Sequence, residues 1–134
     1  MRSYKKLEPP IQKALGKLLR LSQKPRNSVA VFLVDNATMR RLNRKYRGKN
    51  KTTNVLAFPT PVHFRLPPRA GKTLGEIYLA PNYIKKKSED SLLLLIHGFL
   101  HLVGFDHQGK SDTIIMEKLE NKLFHKIQNS KIKM

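Results

Sequence analysis

Ser91-Leu-Leu-Leu-Leu-Ile-His97-Gly98-Phe-Leu-His101-Leu-Val-Gly104-Phe-Asp106-His107-Gln-Gly109 is the stretch from which the rest of the chain is read. Three of the five histidines fall in it. His97 and His101 are four residues apart, so on a helix they share one face. Leu92 to Val103 is almost continuously apolar and predicts a buried helix. Gly104 ends it, being free to take the left-handed conformation at a helix C-terminus. The chain can then fold back and bring His107 towards the first two histidines. Two helical histidines and one from the following turn make three corners of a tetrahedral zinc site.

A single histidine in an apolar helix is usually a hydrogen-bonded core residue. Three in one aliphatic stretch are a different matter. Left unpartnered, each buried polar ring would cost roughly 1–3 kcal/mol. A shared metal ion removes that cost, so His97, His101 and His107 are expected to be ligands of one Zn²⁺ per chain. The ion can also be another divalent metal with affinity for imidazole. A zincin peptidase carries Glu directly after the first histidine as its general base. Here that position is Gly98, which weakens any reading as a peptidase.

Working outward, the charge is the strongest compositional signal. The 134 residues hold 27 Lys and Arg against 9 Asp and Glu, a formal net charge of +18. Residues 1–60 carry 15 basic and 2 acidic residues, the remainder 12 and 7. Such a field attracts polyanions and points to a nucleic acid, ahead of an anionic membrane surface. There is no cysteine, so disulfides and Cys-type zinc fingers are excluded. No strictly apolar run, Leu92 to Ile96 included, comes near the length needed to span a membrane, and the N-terminus has no signal-like apolar segment. A soluble cytoplasmic protein is the expectation.

Before this stretch, residues 1–9 are basic and expected to be flexible. Pro9-Pro10 opens a helix whose core stripe is Ile11, Ala14, Leu15, Leu18 and Leu19, with Gln12, Lys13, Lys17 and Arg20 off it. Val29 to Val34 reads as a strand buried on both faces. Asn36 is read as the N-cap of a second helix that turns Met39, Leu42 and Tyr46 inward. Its basic face continues through Arg47, Lys49 and Lys51 as the main phosphate-contacting surface. Thr53 to Phe58 and Thr73 to Leu79 are strands, separated by a proline-rich loop containing His63, read as a surface residue. Tyr83 to Lys87 is a basic helix or turn, and Asp90 or Ser91 caps the histidine helix.

After it, Ser111 or Asp112 caps a last helix with Ile115, Met116, Leu119, Leu123 and Ile127 inward and His125 solvated. The tail 129–134 is expected to fray. The order predicts an α/β (α+β) fold in one domain over residues 1–134. A small mixed sheet packs with helices, and the metal site lies on a buried helix and its following turn.

His97-Gly98-Phe99-Leu100-His101-Leu102-Val103-Gly104-Phe105-Asp106-His107 resembles the H-G-x-x-H-L-x-G-x-D-H signature of the YbeY family of bacterial metal-dependent endoribonucleases. Arg47 followed by Thr53-Asn54-Val55-Leu56-Ala57-Phe58-Pro59 is similar to that family's second motif. Leu74-Gly75-Glu76-Ile77 is similar to its L-G-D-I, and Met116-Glu117 suits its C-terminal helix. Ala57 replaces the usual Ser, Glu76 the usual Asp, and the opening strand of the family fold is not visible in residues 1–8.

The resemblance implies a zinc-dependent, single-strand-specific endoribonuclease acting in ribosomal RNA maturation and ribosome quality control. Its partners would be single-stranded or ribosomal RNA and a ribosomal subunit or ribosomal protein. The three histidines would bind zinc, and Arg47 would be the essential arginine of the cleft. Asp106 is read either as an acceptor orienting a ligand imidazole, the favoured role, or as a fourth ligand. Glu76 is a weaker candidate for proton transfer. Few aromatic residues lie in the basic stretch, so base stacking is expected to be minor. The alternative is a non-catalytic RNA- or ribosome-binding assembly factor with a structural zinc site.

Overall fold

The helix expected from the histidine stretch, here α4 (Ser91–Leu102), is the element against which most of the core is built. It and the elements around it are described in a computed structural model that covers residues 4–61, 72–105 and 109–130. Asp90 caps α4 by accepting from the backbone N–H groups of Leu92 (2.8 Å) and Leu93 (3.3 Å). Gly104, at φ +106°, carries the chain away from its C-terminus. Leu95, Ile96 and Phe99 are fully buried. Each such side chain contributes roughly 1.5–3 kcal/mol through removal from water.

The other elements are α1 (Glu8–Leu21), β1 (Ser28–Leu33), α2 (Asn36–Arg47), β2 (Val55–Pro59), β3 (Thr73–Leu79), α3 (Pro81–Lys86) and α5 (Lys110–Ser130). The strands form one mixed sheet in the order β1-β3-β2, with β1 parallel and β2 antiparallel to β3. This is a single-domain α/β fold, as the pattern predicts. The expected stripe of α1 is buried, together with Lys17. Among the described residues no helix is long and apolar enough to cross a membrane.

One face of the sheet carries the larger part of the core, and a smaller buried cluster of Met39, Leu56 and Ala80 lies on the other. Ile77 and Leu79 of β3 are fully buried on the first face, with Val29 and Ala57 beside them in the cluster that α1, α4 and α5 complete. Gly98 lets α4 lie close against this face. A Cβ at that position would stand 3.2 Å from Ile77 Cγ2 and 3.4 Å from Val55 Cγ2. The residue that replaces a zincin's general base is therefore a helix–sheet contact, pointing into the sheet.

Several local readings are corrected. β1 is an edge strand with only one face buried: Val29 is buried, while Ala30 and Phe32 are exposed. A run of apolar residues does not distinguish a central strand from an edge strand. The cap of α2 is Asp35, which accepts from Thr38 N–H at 2.8 Å, and Asn36 is already helical. Hydrogen bonding by Thr38 holds the Asp35 carboxyl below its ordinary value.

Tyr46 is 56% exposed, and the buried position of that turn is taken by Asn43, whose side-chain amide donates to the Lys51 carbonyl at 2.8 Å. Ile115 is also exposed, at 50%, whereas Met116 and Ile127 are fully buried on the α5 core face. His125 is exposed, as expected. At the N-terminus, Leu7 N–H donates to the Tyr4 carbonyl, and Tyr4 hydroxyl accepts from Asn82 on α3. The expectations for His63, for most of the proline-rich loop and for the end of the tail fall outside the described residues.

Candidate active site

The cleft beside the histidines lies along the free edge of β2. One wall is the end of α2 and the connection that follows it; the other is α4. Its lining includes Asn43, Arg47, Lys49, Lys51, Thr53, Ala57, His97, His101 and Phe105, around a volume of about 680 Å³. That volume falls in the range of pre-formed ligand sites.

Each wall has a local cause. On α4, the i, i+4 spacing puts both imidazoles on the side opposite the buried aliphatic residues. Their Nε2 atoms stand 3.2 Å apart, with ring centroids 4.7 Å apart at 75°. Two nitrogens held 2.0–2.1 Å from one tetrahedral ion are about 3.3 Å apart, so the spacing of the pair matches that of two ligands of one metal. His97 Nδ1 lies 2.5 Å from the Glu120 carboxylate of α5. This contact favours the proton on Nδ1 and turns the Nε2 lone pair to the cleft, the usual support for a metal-binding imidazole.

On the opposite wall, Gly48 takes φ +70° and ends α2, turning the chain along the cleft. Asn43 holds that turn through Lys51 and so places Lys49 and Lys51 on the rim. Arg47 is aimed by two contacts. One of its terminal nitrogens donates to the Ala57 carbonyl at 3.1 Å, and its guanidinium carbon lies 5.7 Å from the Phe58 ring centroid. Ala57, where the family motif has Ser, is buried and contributes its backbone carbonyl.

The structure thus brings together Arg47, His97 and His101, from two elements 50 residues apart in sequence. Asp106 and His107 lie outside the described residues. Glu76 is not brought to the histidines. Adjacent strand residues point to opposite faces, and Ile77 packs on Gly98, so Glu76 lies on the far side of the sheet, where it accepts from Tyr78 hydroxyl at 3.1 Å. The proton-transfer role suggested for it at the histidines is withdrawn. Glu120 escaped the sequence reading. Its signal was a carboxylate one turn beyond buried Met116, on the core-facing stripe of an amphipathic helix.

Known proteins resemble this chain over most of its length. The family described as Endoribonuclease YbeY matches residues 2–128. A relative named Endoribonuclease YbeY from Persephonella marina is 31% identical over 128 residues, covering 89% of this chain and 82% of that protein. The protein of that name from Buchnera aphidicola subsp. Acyrthosiphon pisum is 40% identical over 121 residues, covering 84% and 73%. For the one from Buchnera aphidicola subsp. Schizaphis graminum the identity is 39% over 105 residues, and the chain spans 65% of its length. The solution structure of TM1509 from Thermotoga maritima aligns with a TM-score of 0.55 over 97% of this chain and 89% of that one, at 23% identity, and so shares the fold. With a match that runs almost from end to end, the chain belongs to the endoribonuclease YbeY family.

Proposed function

We propose that this chain is a metal-dependent endoribonuclease that cuts single-stranded RNA in the cleft between α2 and α4. The observation that carries the reading is the placement of Arg47 opposite His97 and His101 in one basic cleft. His97, His101 and His107 would hold a zinc ion. The ion would supply Lewis acidity towards a phosphoryl oxygen and would lower the pKa of a bound water to about 7.

The chain's own residues do the rest. Glu120 holds His97 in the ligating orientation. Arg47, with one N–H spent on the Ala57 carbonyl, directs its remaining donors at the scissile phosphate and offsets the charge that builds there in the transition state. Lys49 and Lys51 take the flanking phosphates, giving affinity that falls as salt rises. Ribosomal RNA as substrate, a role in its maturation and in ribosome quality control, and a ribosomal partner rest on the family resemblance. The nucleophile is either water or the substrate's own 2′-hydroxyl. A cyclic phosphate product would identify the hydroxyl.

The test is cleavage of single-stranded RNA by purified protein beside chelator-treated protein, Arg47→Ala and His101→Ala. Cleavage should disappear in all three. Arg47→Ala should still bind one equivalent of metal, because Arg47 is not a ligand. Cleavage that persists in both variants would sink the proposal. Metal and RNA binding without cleavage by any sample would favour the assembly-factor reading instead.

A further inference from the structure

The face of the sheet turned away from α4 carries a row of four aromatic rings that the cleft chemistry does not use. Phe32 of β1 stacks on Tyr78 of β3, with centroids 4.9 Å apart and planes at 20°. Tyr78 meets Phe58 of β2 edge-on at 5.8 Å, and Phe58 meets Tyr46 of α2 at 5.2 Å. The row crosses all three strands and ends on the last turn of α2. Its terminal members, Phe32 and Tyr46, are 42% and 56% exposed. Between them, Phe58 and Tyr78 are half-buried against a cluster formed by Met39 of α2, Leu56 of β2 and Ala80, so the row is anchored in its middle and exposes its rings chiefly at the two ends.

Its surroundings identify the occupant. Lys45 Nζ lies 5.3 Å from the Tyr46 ring centroid, and Arg47 lies over Phe58 while also lining the cleft. The row is therefore basic at the end that joins the cleft, and continuous with it through one side chain. Glu76, a carboxylate on this face, accepts from the Tyr78 hydroxyl. It disfavours a phosphate over the strands and leaves the bases as the groups that lie on the rings, with the backbone along the Lys45–Arg47 side. A polyanion with planar apolar faces satisfies all three features. Partly exposed aromatic rings on a sheet are a known way to stack unpaired bases.

We infer that the outer face of the sheet, from Tyr46 through Phe58 and Tyr78 to Phe32, is a base-stacking track for single-stranded RNA leading away from the cleft. This rests on the reading of the cleft as an RNA-cleaving site. It makes stacking a substantial part of substrate binding, contrary to what the linear spacing of aromatic residues suggests. It also predicts that substrates extending beyond the scissile bond on one side bind more tightly than those ending at it.

The test measures binding of fluorescein-labelled oligouridylate and of an abasic oligomer of equal length, by anisotropy, with chelator present so that nothing is cleaved. Phe32→Ala should weaken oligouridylate binding about tenfold, the usual loss for one stacked base. It should leave the salt slope and the abasic affinity unchanged. Phe32→Tyr should retain the wild-type affinity. Lys45→Ala should weaken both oligomers and reduce the salt slope by about one. Thermal melting of each variant confirms folding. If Phe32→Ala binds oligouridylate like wild type, the row serves another partner, such as a protein surface, and the inference falls. If folded wild-type protein binds neither oligomer, the RNA reading of the cleft falls with it. Intact RNA binding with no Phe32 effect overturns the track alone.

Discussion

The two faces of strand β3 differ more than any other neighbouring parts of the molecule. On one side Ile77 and Leu79 are fully buried. On the other, Glu76 is exposed and Tyr78 half-buried. Both faces are rich in apolar atoms, so composition does not separate them. Helix α4 does: pressed against one face through Gly98, it converts that face into core and sets the depth of the histidines in the cleft. The outer face keeps its aromatic rings in contact with one another and partly with water. The inner face thus positions the chemistry, while the outer one, covered in part by Met39 of α2 over Leu56, leaves Phe32 and Tyr46 open to a ligand.

The comparison breaks most severely at Gly75. A Cβ there would stand 2.2 Å from the Phe58 carbonyl oxygen and 2.9 Å from Pro59 Cα, at φ +143°. Backbone cannot give way as a flexible side chain can. Gly75→Ala should cost roughly 4 kcal/mol, combining backbone strain and overpacking. Against a total stability of about 5–15 kcal/mol, most of the protein should then be recovered insoluble or melt far below wild type. A melting temperature within a few degrees of wild type would show that β2 and β3 can separate at that point.

Ile77→Ala, on the inner face, should cost about 3 kcal/mol in denaturant titration by opening a cavity under α4. Gly98→Ala should cost about 1–2 kcal/mol, because Ile77 and Val55 must give by a few tenths of an ångström. Lifting α4 should reduce RNA cleavage more than it reduces stability, and an unchanged rate would mean that the depth of α4 does not set histidine placement. Phe32→Ala, on the outer face, should cost under about 1 kcal/mol, chiefly the lost ring pair with Tyr78. A loss as large as that of Ile77→Ala would erase the distinction between the faces.

The smallest effect is a pH dependence. Burial, and then the Glu76 carboxylate, push the Tyr78 hydroxyl above its ordinary 10.0. The unfolded chain therefore loses this proton first. The corresponding stability is present below about pH 10 and is lost as pH rises through the folded value. Tyr78→Phe should remove that part of the alkaline decline, read as the difference between the melting curves of the two proteins. Identical alkaline slopes would show that Tyr78 is no more protected folded than unfolded.

Much of this architecture was legible in the sequence because it depends on near neighbours. The α1 stripe, the extent of β3, the aliphatic run of α4 and the break at Gly104 all follow from helical or strand periodicity and from glycine's freedom at positive φ. The errors share one cause. Whether Val29 to Val34 lies centrally or at an edge, and whether Tyr46 or Asn43 turns inward, depends on which element arrives beside them. The aromatic row is the largest instance: Phe32, Tyr46, Phe58 and Tyr78 are scattered over three strands and a helix, and only strand pairing aligns them.

The candidate site divides in the same way. Its motif residues, the His97–His101 spacing and the basic run through Arg47 could be read directly, because an i, i+4 pair shares a helix face whatever surrounds it and charge needs no fold to be counted. The approach of Arg47 to the histidines, the Glu120 carboxylate behind His97 and the removal of Glu76 to the far face required the tertiary structure. Each depends on which side chains meet after α4 has buried one face of the sheet. That outcome is set by packing and by the alternation of a paired strand, not by distance along the chain.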